Sequence, residues 1–226
     1  MALILAIETA TKLCSVALGK DGVVLSIRED HGERLSHAEL VNLFAQQVLE
    51  EAGYALQDVE AFAVGIGPGS YTGLRIGVSA AKGWCFALDR PLIGISTLRT
   101  LVEGARKEAE PATVLWPMVD ARRMEVFTQP HDRSGEVLAP TGPAILDRGW
   151  IEVAGDRPMV FGDGADKAAD LWKEHPHVSH LKNIKPSAAF MIPIAESRSR
   201  VKEFDDLAYL VPEYGKAANV TQAKPR

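Results

Sequence analysis

Val64-Gly65-Ile66-Gly67-Pro68-Gly69-Ser70-Tyr71-Thr72-Gly73-Leu74-Arg75-Ile76-Gly77 joins two periodicities. Before it, Val59 to Val64 is a short apolar run that reads as a buried strand. After it, Thr72 to Leu88 repeats its apolar residues at helical spacing. The unit is strand, glycine-rich turn, helix. Glycines permit positive φ and close backbone approach. Pro68 fixes φ in mid-turn and pushes Gly67 toward an extended shape. Ser70 and Thr72 are both N-cap candidates, and the free amides behind them could hold an anion. Arg75 stands in the first helical turn, where the dipole disfavours a cation, so an anionic neighbour is expected. No Lys-Ser/Thr follows the glycines, so the turn is neither a P-loop nor the dinucleotide fingerprint. Three readings stay open: a tight structural turn, an anion or nucleotide contact, and a turn shaped for a partner protein.

The helix over 72–88 is rich in small residues. Gly73, Gly77, Ala80, Ala81 and Trp84 recur every three or four positions. A helical glycine costs about 1 kcal/mol against alanine, so the stripe implies close backbone approach, from within the lobe or from a partner helix. Upstream, Ser36-His37-Ala38-Glu39 is a capping box. Its helix carries Leu40, Val41, Leu43, Phe44, Ala45, Val48, Leu49 and Ala52, and ends at Gly53. These apolar positions cover more than the single arc a sheet requires, which implies a second buried side.

The first strand, Leu3 to Glu8, is continuously apolar, as befits a sheet centre covered on both faces. Leu13 to Leu18 and Val23 to Arg28 follow as strands joined by the turn Gly19-Lys20-Asp21-Gly22. Another strand covers Pro91 to Ser96, and a helix runs from there to about Lys107. The charged stretch Arg106 to Pro111 marks a boundary. The second half repeats this order: strands at Thr113 to Val119, Met124 to Gln129 and Glu136 to Leu138, a helix near Pro143 to Trp150, a strand at Met159 to Phe161 and a helix over 165–174. A last helix spans Ser187 to Arg200, disturbed at Pro193, and a loose tail begins at Tyr214. The expected architecture is α/β, a duplicated βββαβα fold with a cleft between an N-terminal lobe, 1–108, and a C-terminal lobe, 109–226.

Composition narrows the function. The chain has 226 residues, 46% of them hydrophobic, enough for a sizeable core. Its net charge of −5 supplies no global field for nucleic acid, although a partner could provide one. Cys14 and Cys85 sit in apolar contexts and read as reduced thiols. Met1 to Ile7 has no basic lead and meets Glu8 at once, which makes it a strand rather than a signal peptide. With no run of membrane-spanning length, a cytoplasmic location is expected.

Glu8 and Asp120 end matching strands and could face a ligand or hydrated cation across the cleft, or simply cap turns. Asp120-Ala121-Arg122-Arg123 is either an ion-paired corner or a solvated strand end. His37 reads as a helix cap. His175, His177 and His180 cluster without a completing ligand. Neither Ser70 nor Cys85 has a histidine at a motif distance, so no nucleophile is indicated.

The motifs Leu5-Ala6-Ile7-Glu8-Thr9-Ala10-Thr11, Cys14-Ser15-Val16-Ala17-Leu18, Gly65 to Gly77, Gly94-Ile95-Ser96-Thr97-Leu98 and Asp120-Ala121-Arg122 together resemble the TsaB (YeaZ) family, closely over about 1–125 and more loosely beyond. The resemblance implies an actin-like, sugar-kinase-like ATPase fold. It implies a bacterial, non-catalytic partner in making N6-threonylcarbamoyladenosine at position 37 of tRNAs that read ANN codons. Threonylcarbamoyl-AMP supplies the group, a TsaD-like subunit transfers it, and a TsaE-like subunit is the ATPase. The TsaB-like chain pairs with itself or with the transferase through helices matching 36–52 and 72–88, and meets tRNA through the complex. The catalytic relative carries a His-x-x-x-His metal pair after the strand matching 92–96. Here that segment is Ser96-Thr97-Leu98-Arg99-Thr100-Leu101-Val102, and no His-x-x-x-His occurs in the chain. Relatives carry Tyr-Leu-Arg near the end, where this chain has Pro212-Glu213-Tyr214-Gly215-Lys216.

The expected site residues follow. Glu8, Thr11, Gly67, Gly69, Ser70 and Asp120 would line a degenerate ligand cleft. Leu40, Phe44, Val48, Gly73, Gly77, Ala80, Ala81 and Trp84 would form the partner interface. No catalytic or metal-ligating residue and no required cofactor is expected, with ATP or ADP left open at the cleft or the complex interface. The competing readings are an ATP-dependent small-molecule kinase or ATPase of the same fold, with Glu8 and Asp120 as weak Mg²⁺ candidates, and a peptidase, which lacks a triad.

Overall fold

A computed structural model of the chain describes residues 2–32, 36–111 and 113–215. Strands β1 (Leu3–Glu8), β2 (Cys14–Lys20), β3 (Val23–Asp30), β4 (Ala61–Gly67) and β5 (Leu92–Ser96) form one sheet in the order β3-β2-β1-β4-β5. Strands β6 (Val114–Asp120), β7 (Glu125–Thr128), β8 (Gly142–Ile145), β9 (Pro158–Phe161) and β10 (Ser179–Leu181) form the other, in the order β10-β9-β6-β7-β8. Position for position the two orders are the same. In each, the first three strands run antiparallel and the last two pair parallel to the centre.

Alternation on β1 explains the layering. Leu3, Leu5 and Ile7 point to one face and pack under α1 (His37–Ala52) and α2 (Tyr71–Leu88). Ile4 and Ala6 point to the other and meet Met191, Ile192 and Ala195 of α7 (Ala188–Arg200). The second sheet is covered outside by α4 (Arg148–Val153), α5 (Asp163–Asp166) and α6 (Ala169–Lys173), around Trp150 and Trp172. Its inner face, with Leu115, Val119 and Phe161, meets Leu98, Leu101 and Val102 of α3 (Thr97–Ala105). The inner helices are thus exchanged. Helix α3 leaves the first sheet and packs on the second, while α7 leaves the second and packs on the first. They cross closely enough that Gly104 has no room for a Cβ beside the Phe190 ring. The division at 108/109 falls between the sheets in sequence, but the packing does not respect it.

Several elements differ from expectation. The third strand of the second sheet is Gly142–Ile145, not Glu136 to Leu138, and the helix expected from Pro143 begins at Arg148. Pro143 is tolerated because β8 is an edge strand, and Asp147 caps the helix by accepting from Trp150 N at 2.9 Å. The single helix over 165–174 is two short ones. Strand β10, the counterpart of β5, was not anticipated. Pro193 lies inside an unbroken α7. Through Tyr214 the C-terminal segment is tied to the first lobe, Gly215 packs against Phe127 of the second, and the tail from Lys216 onward lies outside the described residues.

Candidate functional site: the cleft between the lobes

Between the lobes lies a cleft of about 640 Å³. The first lobe lines it with Ala10, Thr11, Lys12, Gly69 and Ser70, and the second with Val119, Asp120, Ala121 and Asp163. The glycine turn forms its floor by pressing on the β1–β2 connection. Ser70 N donates to Ala10 O at 2.6 Å, and a Cβ on Gly69 would collide with the same carbonyl. Ser70 caps α2 by accepting from Gly73 N at 3.2 Å. Gly67 has φ 110°, a glycine conformation rather than the extended one expected, and its open side faces Glu213 O.

Glu8 does not line the cleft. It is fully buried. Its Oε1 accepts from Ala10 N at 2.7 Å, its Oε2 accepts from Thr97 Oγ1 at 3.1 Å, and Gly65 leaves room for both oxygens. Burial pushes its carboxyl up to about 7, against the pull of these hydrogen bonds. Asp120 does open on the cleft, but it is ion-paired to Lys167 and accepts from Arg122 N at 2.8 Å. The ion-paired corner therefore exists with Lys167, not an arginine, as its cation. The two carboxylates do not converge, so they do not fit a Mg²⁺-nucleotide held between them. Among the described residues, no group of three His, Cys, Asp or Glu could hold a metal ion. Burial pushes the Cys14 and Cys85 thiols up to about 12, which makes them inert packing groups. His180 bonds Asp166 at 2.9 Å, and His37 bonds Thr11 O at 3.0 Å.

Among the described residues, Arg75 is paired with no anion. Its guanidinium lies 4.0 Å from the Tyr71 ring centroid, and its Nε donates to Tyr214 Oη at 3.0 Å. The Tyr71 and Tyr214 rings stack with centroids 4.4 Å apart at the cleft mouth. Tyr214 was not anticipated there, and nothing local to the glycine turn could have signalled a residue 139 positions away.

The expected interface residues mostly face inward. Leu40, Phe44 and Val48 of α1 and Gly73, Gly77 and Ala81 of α2 are buried in the chain's own core. Ala80 and Trp84 are half-buried, with Trp84 against Phe62. The reason is β1: a Cβ on Gly73 would strike Thr9 O, and one on Gly77 would strike Thr9 Oγ1. The small-residue stripe accommodates the end of that strand. The surplus apolar arc of α1 is likewise spent inside the lobe, except at exposed Leu43.

Two like-ordered sheets, exchanged inner helices and an intervening cleft define an actin-like ATPase fold. A family model described as TsaD, tRNA N6-adenosine threonylcarbamoyltransferase, matches residues 33–195. The chain is 36% identical over 202 residues to the tRNA threonylcarbamoyladenosine biosynthesis protein TsaB of Escherichia coli (strain K12), covering 85% of each. It is 28% identical over 229 residues to the protein of that name from Bacillus subtilis (strain 168), covering 93% of each. A solved structure from Pseudomonas aeruginosa, an uncharacterized protein with similarity to peptidase YEAZ, superposes with a TM-score of 0.78 at 27% identity, covering 96% of this chain and 100% of that one. The chain belongs to the TsaB (YeaZ) family, a branch related to TsaD. Among the described residues, no helix is long and apolar enough to cross a membrane.

Proposed function

We propose that this chain is the non-catalytic partner subunit of the assembly that installs N6-threonylcarbamoyladenosine at position 37 of tRNAs reading ANN codons. It works by binding a metal-bearing TsaD-like transferase, alongside a TsaE-like ATPase, and it pairs with itself when alone. tRNA is met through the complex, and a cytoplasmic location goes with the role. The observation that carries this reading is the segment after β5. Where the catalytic relative has its two metal-binding imidazoles, this chain has the histidine-free segment Ser96-Thr97-Leu98-Arg99-Thr100-Leu101-Val102, in which Thr97 and Leu101 stand one helical turn apart. Both are fully buried, Thr97 donating to Glu8 and Leu101 packed between α3 and the second sheet. The identity with the Escherichia coli relative supports the same role. No cofactor is required, and the cleft has the volume for ATP or ADP without a two-carboxylate metal site.

The partner face follows from what α2 leaves uncovered. Thr72, Ser79 and Gly83 are exposed along one side, Ile76 is half-buried beside them, and nothing lies within 4 Å of where a Gly83 Cβ would be. Small residues there let another helix approach closely.

An omission assay tests the role. This protein, the transferase, the ATPase, ATP, threonylcarbamoyl-AMP and unmodified tRNA are combined, and each protein is left out in turn. Modification should fail without this chain, and this chain alone should modify nothing. Brisk modification or ATP turnover by the isolated chain would refute the role. Ser79→Arg tests the face: transferase binding should weaken about ten-fold or more with the fold intact. Unchanged binding would move the interface elsewhere.

A further inference from the structure

The segment after α7 crosses the first lobe and is held in two unlike ways. Its first part is firmly anchored. Asp205 bridges to the edge strand β5 through Leu92, its N–H donating to Leu92 O at 2.9 Å. Asp205 Oδ2 accepts from Gly94 N at 2.7 Å and lies 3.2 Å from Arg198 Nη2. Leu207 and Leu210 pack against the core, and Lys82 Nζ donates to the carbonyls of Ala208 and Leu210 at 3.2 and 2.9 Å.

The last part rests on the rim of the cleft. Val211 is 65% exposed, and Pro212 follows it. Glu213 N donates to Ile66 O at 2.7 Å, on the glycine turn. Tyr214 stacks on Tyr71, accepts from Arg75 and lines the cleft mouth. Gly215 lies on the opposite wall, where a Cβ would come 2.6 Å from Phe127 Cε1 of the second lobe. Among the described residues, this end is held by a backbone hydrogen bond, a side-chain hydrogen bond, the half-exposed Tyr71–Tyr214 pair with the Arg75 guanidinium beside it, and the close approach of Gly215 to Phe127, and its own side chains include no fully buried apolar one. Segments with so little buried contact open locally while the fold stays intact.

We propose that residues 211–215 are a latch across the mouth of the cleft, pivoting at Val211-Pro212, while residues 205–210 stay anchored. Latched, Tyr214 and Tyr71 narrow the entrance and the segment from Glu213 to Gly215 spans from the glycine turn to the far wall. Released, the mouth widens, so that a bulky solute reaches further in between Thr11 and Asp120, of which Asp120 is exposed even when latched. The device stands on this chain's own contacts and needs no partner.

The test places a thiol on the cleft wall at half-buried Ala121 (Ala121→Cys) in the full chain. The native Cys14 and Cys85 are each 1% exposed and so stay silent. The probe is a polyethylene-glycol maleimide. Adding Tyr214→Ala should raise its labelling rate about five-fold or more, and adding Arg75→Gln, which removes the hydrogen bond and the guanidinium's ring contacts but leaves the Tyr71–Tyr214 pair, should raise it less. Circular dichroism and melting temperature should hold, and the Glu213 amide should exchange with deuterium faster than the Asp205 amide. Equal labelling rates in all three backgrounds would overturn the latch. So would a Tyr214→Ala chain that fails to fold, or a Glu213 amide as protected as that of Asp205, because residues 211–215 would then belong to the core.

Discussion

Glu8 keeps its proton to about pH 7 because burial outweighs the two hydrogen bonds it accepts, whereas an exposed carboxyl titrates near 4.5. The folded state therefore holds this proton when the unfolded chain has lost it. The stabilisation is complete below about pH 4.5 and declines as pH climbs toward 7, by about 3 kcal/mol in total. Glu8→Gln should remove that decline. Urea unfolding should show the variant gaining on the parent by about 2–3 kcal/mol between pH 4.5 and pH 8. A carboxyl carbon titrating below pH 5 by NMR would contradict this. The glycines of α2 make a second residue-scale case. Gly73 abuts the backbone carbonyl of Thr9, while Gly77 abuts only its side chain. Gly73→Ala should cost about 2 kcal/mol or more despite the better helix propensity. Gly77→Ala should cost less and be relieved by adding Thr9→Ala, as a double-mutant cycle in chemical denaturation would show. Sequence could tell that these glycines meet a backbone closely. It could not tell which one, because the direction of a helix face is set only once the sheet is in place.

At the scale of elements, local chemistry was the better guide wherever the signal was local. The capping box of α1 forms as spelled, with Ser36 N and Oγ both donating to Glu39 Oε2 at 2.8 Å, and Gly53 closes the helix at φ 74°. Ser70 caps α2 as its hydroxyl chemistry suggested. The failures came where tertiary context decides. Strand β8 exists because β7 needs a neighbour, and its Pro143 reads as a strand breaker until its edge position is known. Strand β10 has only three residues, too short for periodicity to reveal. Arg75 called for an anion and met two tyrosines, since a cation is also satisfied by ring faces. The outer side of α2 yields its own prediction. Gly83 is a mid-helix glycine with open space around it, so Gly83→Ala should raise stability by about 0.5–1 kcal/mol in thermal unfolding. A loss of stability would mean that the helix there is not free as described.

For the whole molecule, duplication was legible because order survives where residue identity does not: three strands, helix, strand, helix, twice over. The exchange of α3 and α7 was not legible, since neither segment states which sheet it will cover. Yet it fixes how the protein can be divided. Ile4, Ala6, Ala17, Ile93 and Ile95 are sealed by a helix encoded in the other half of the chain, well after all of them. Leu115, Val119 and Phe161 are sealed by one encoded before them. A gene broken after Glu108 should therefore give two insoluble products when each is made alone. Made together in one cell, the two polypeptides should recover as a soluble, co-purifying pair, each donating the cover that the other's translation product lacks.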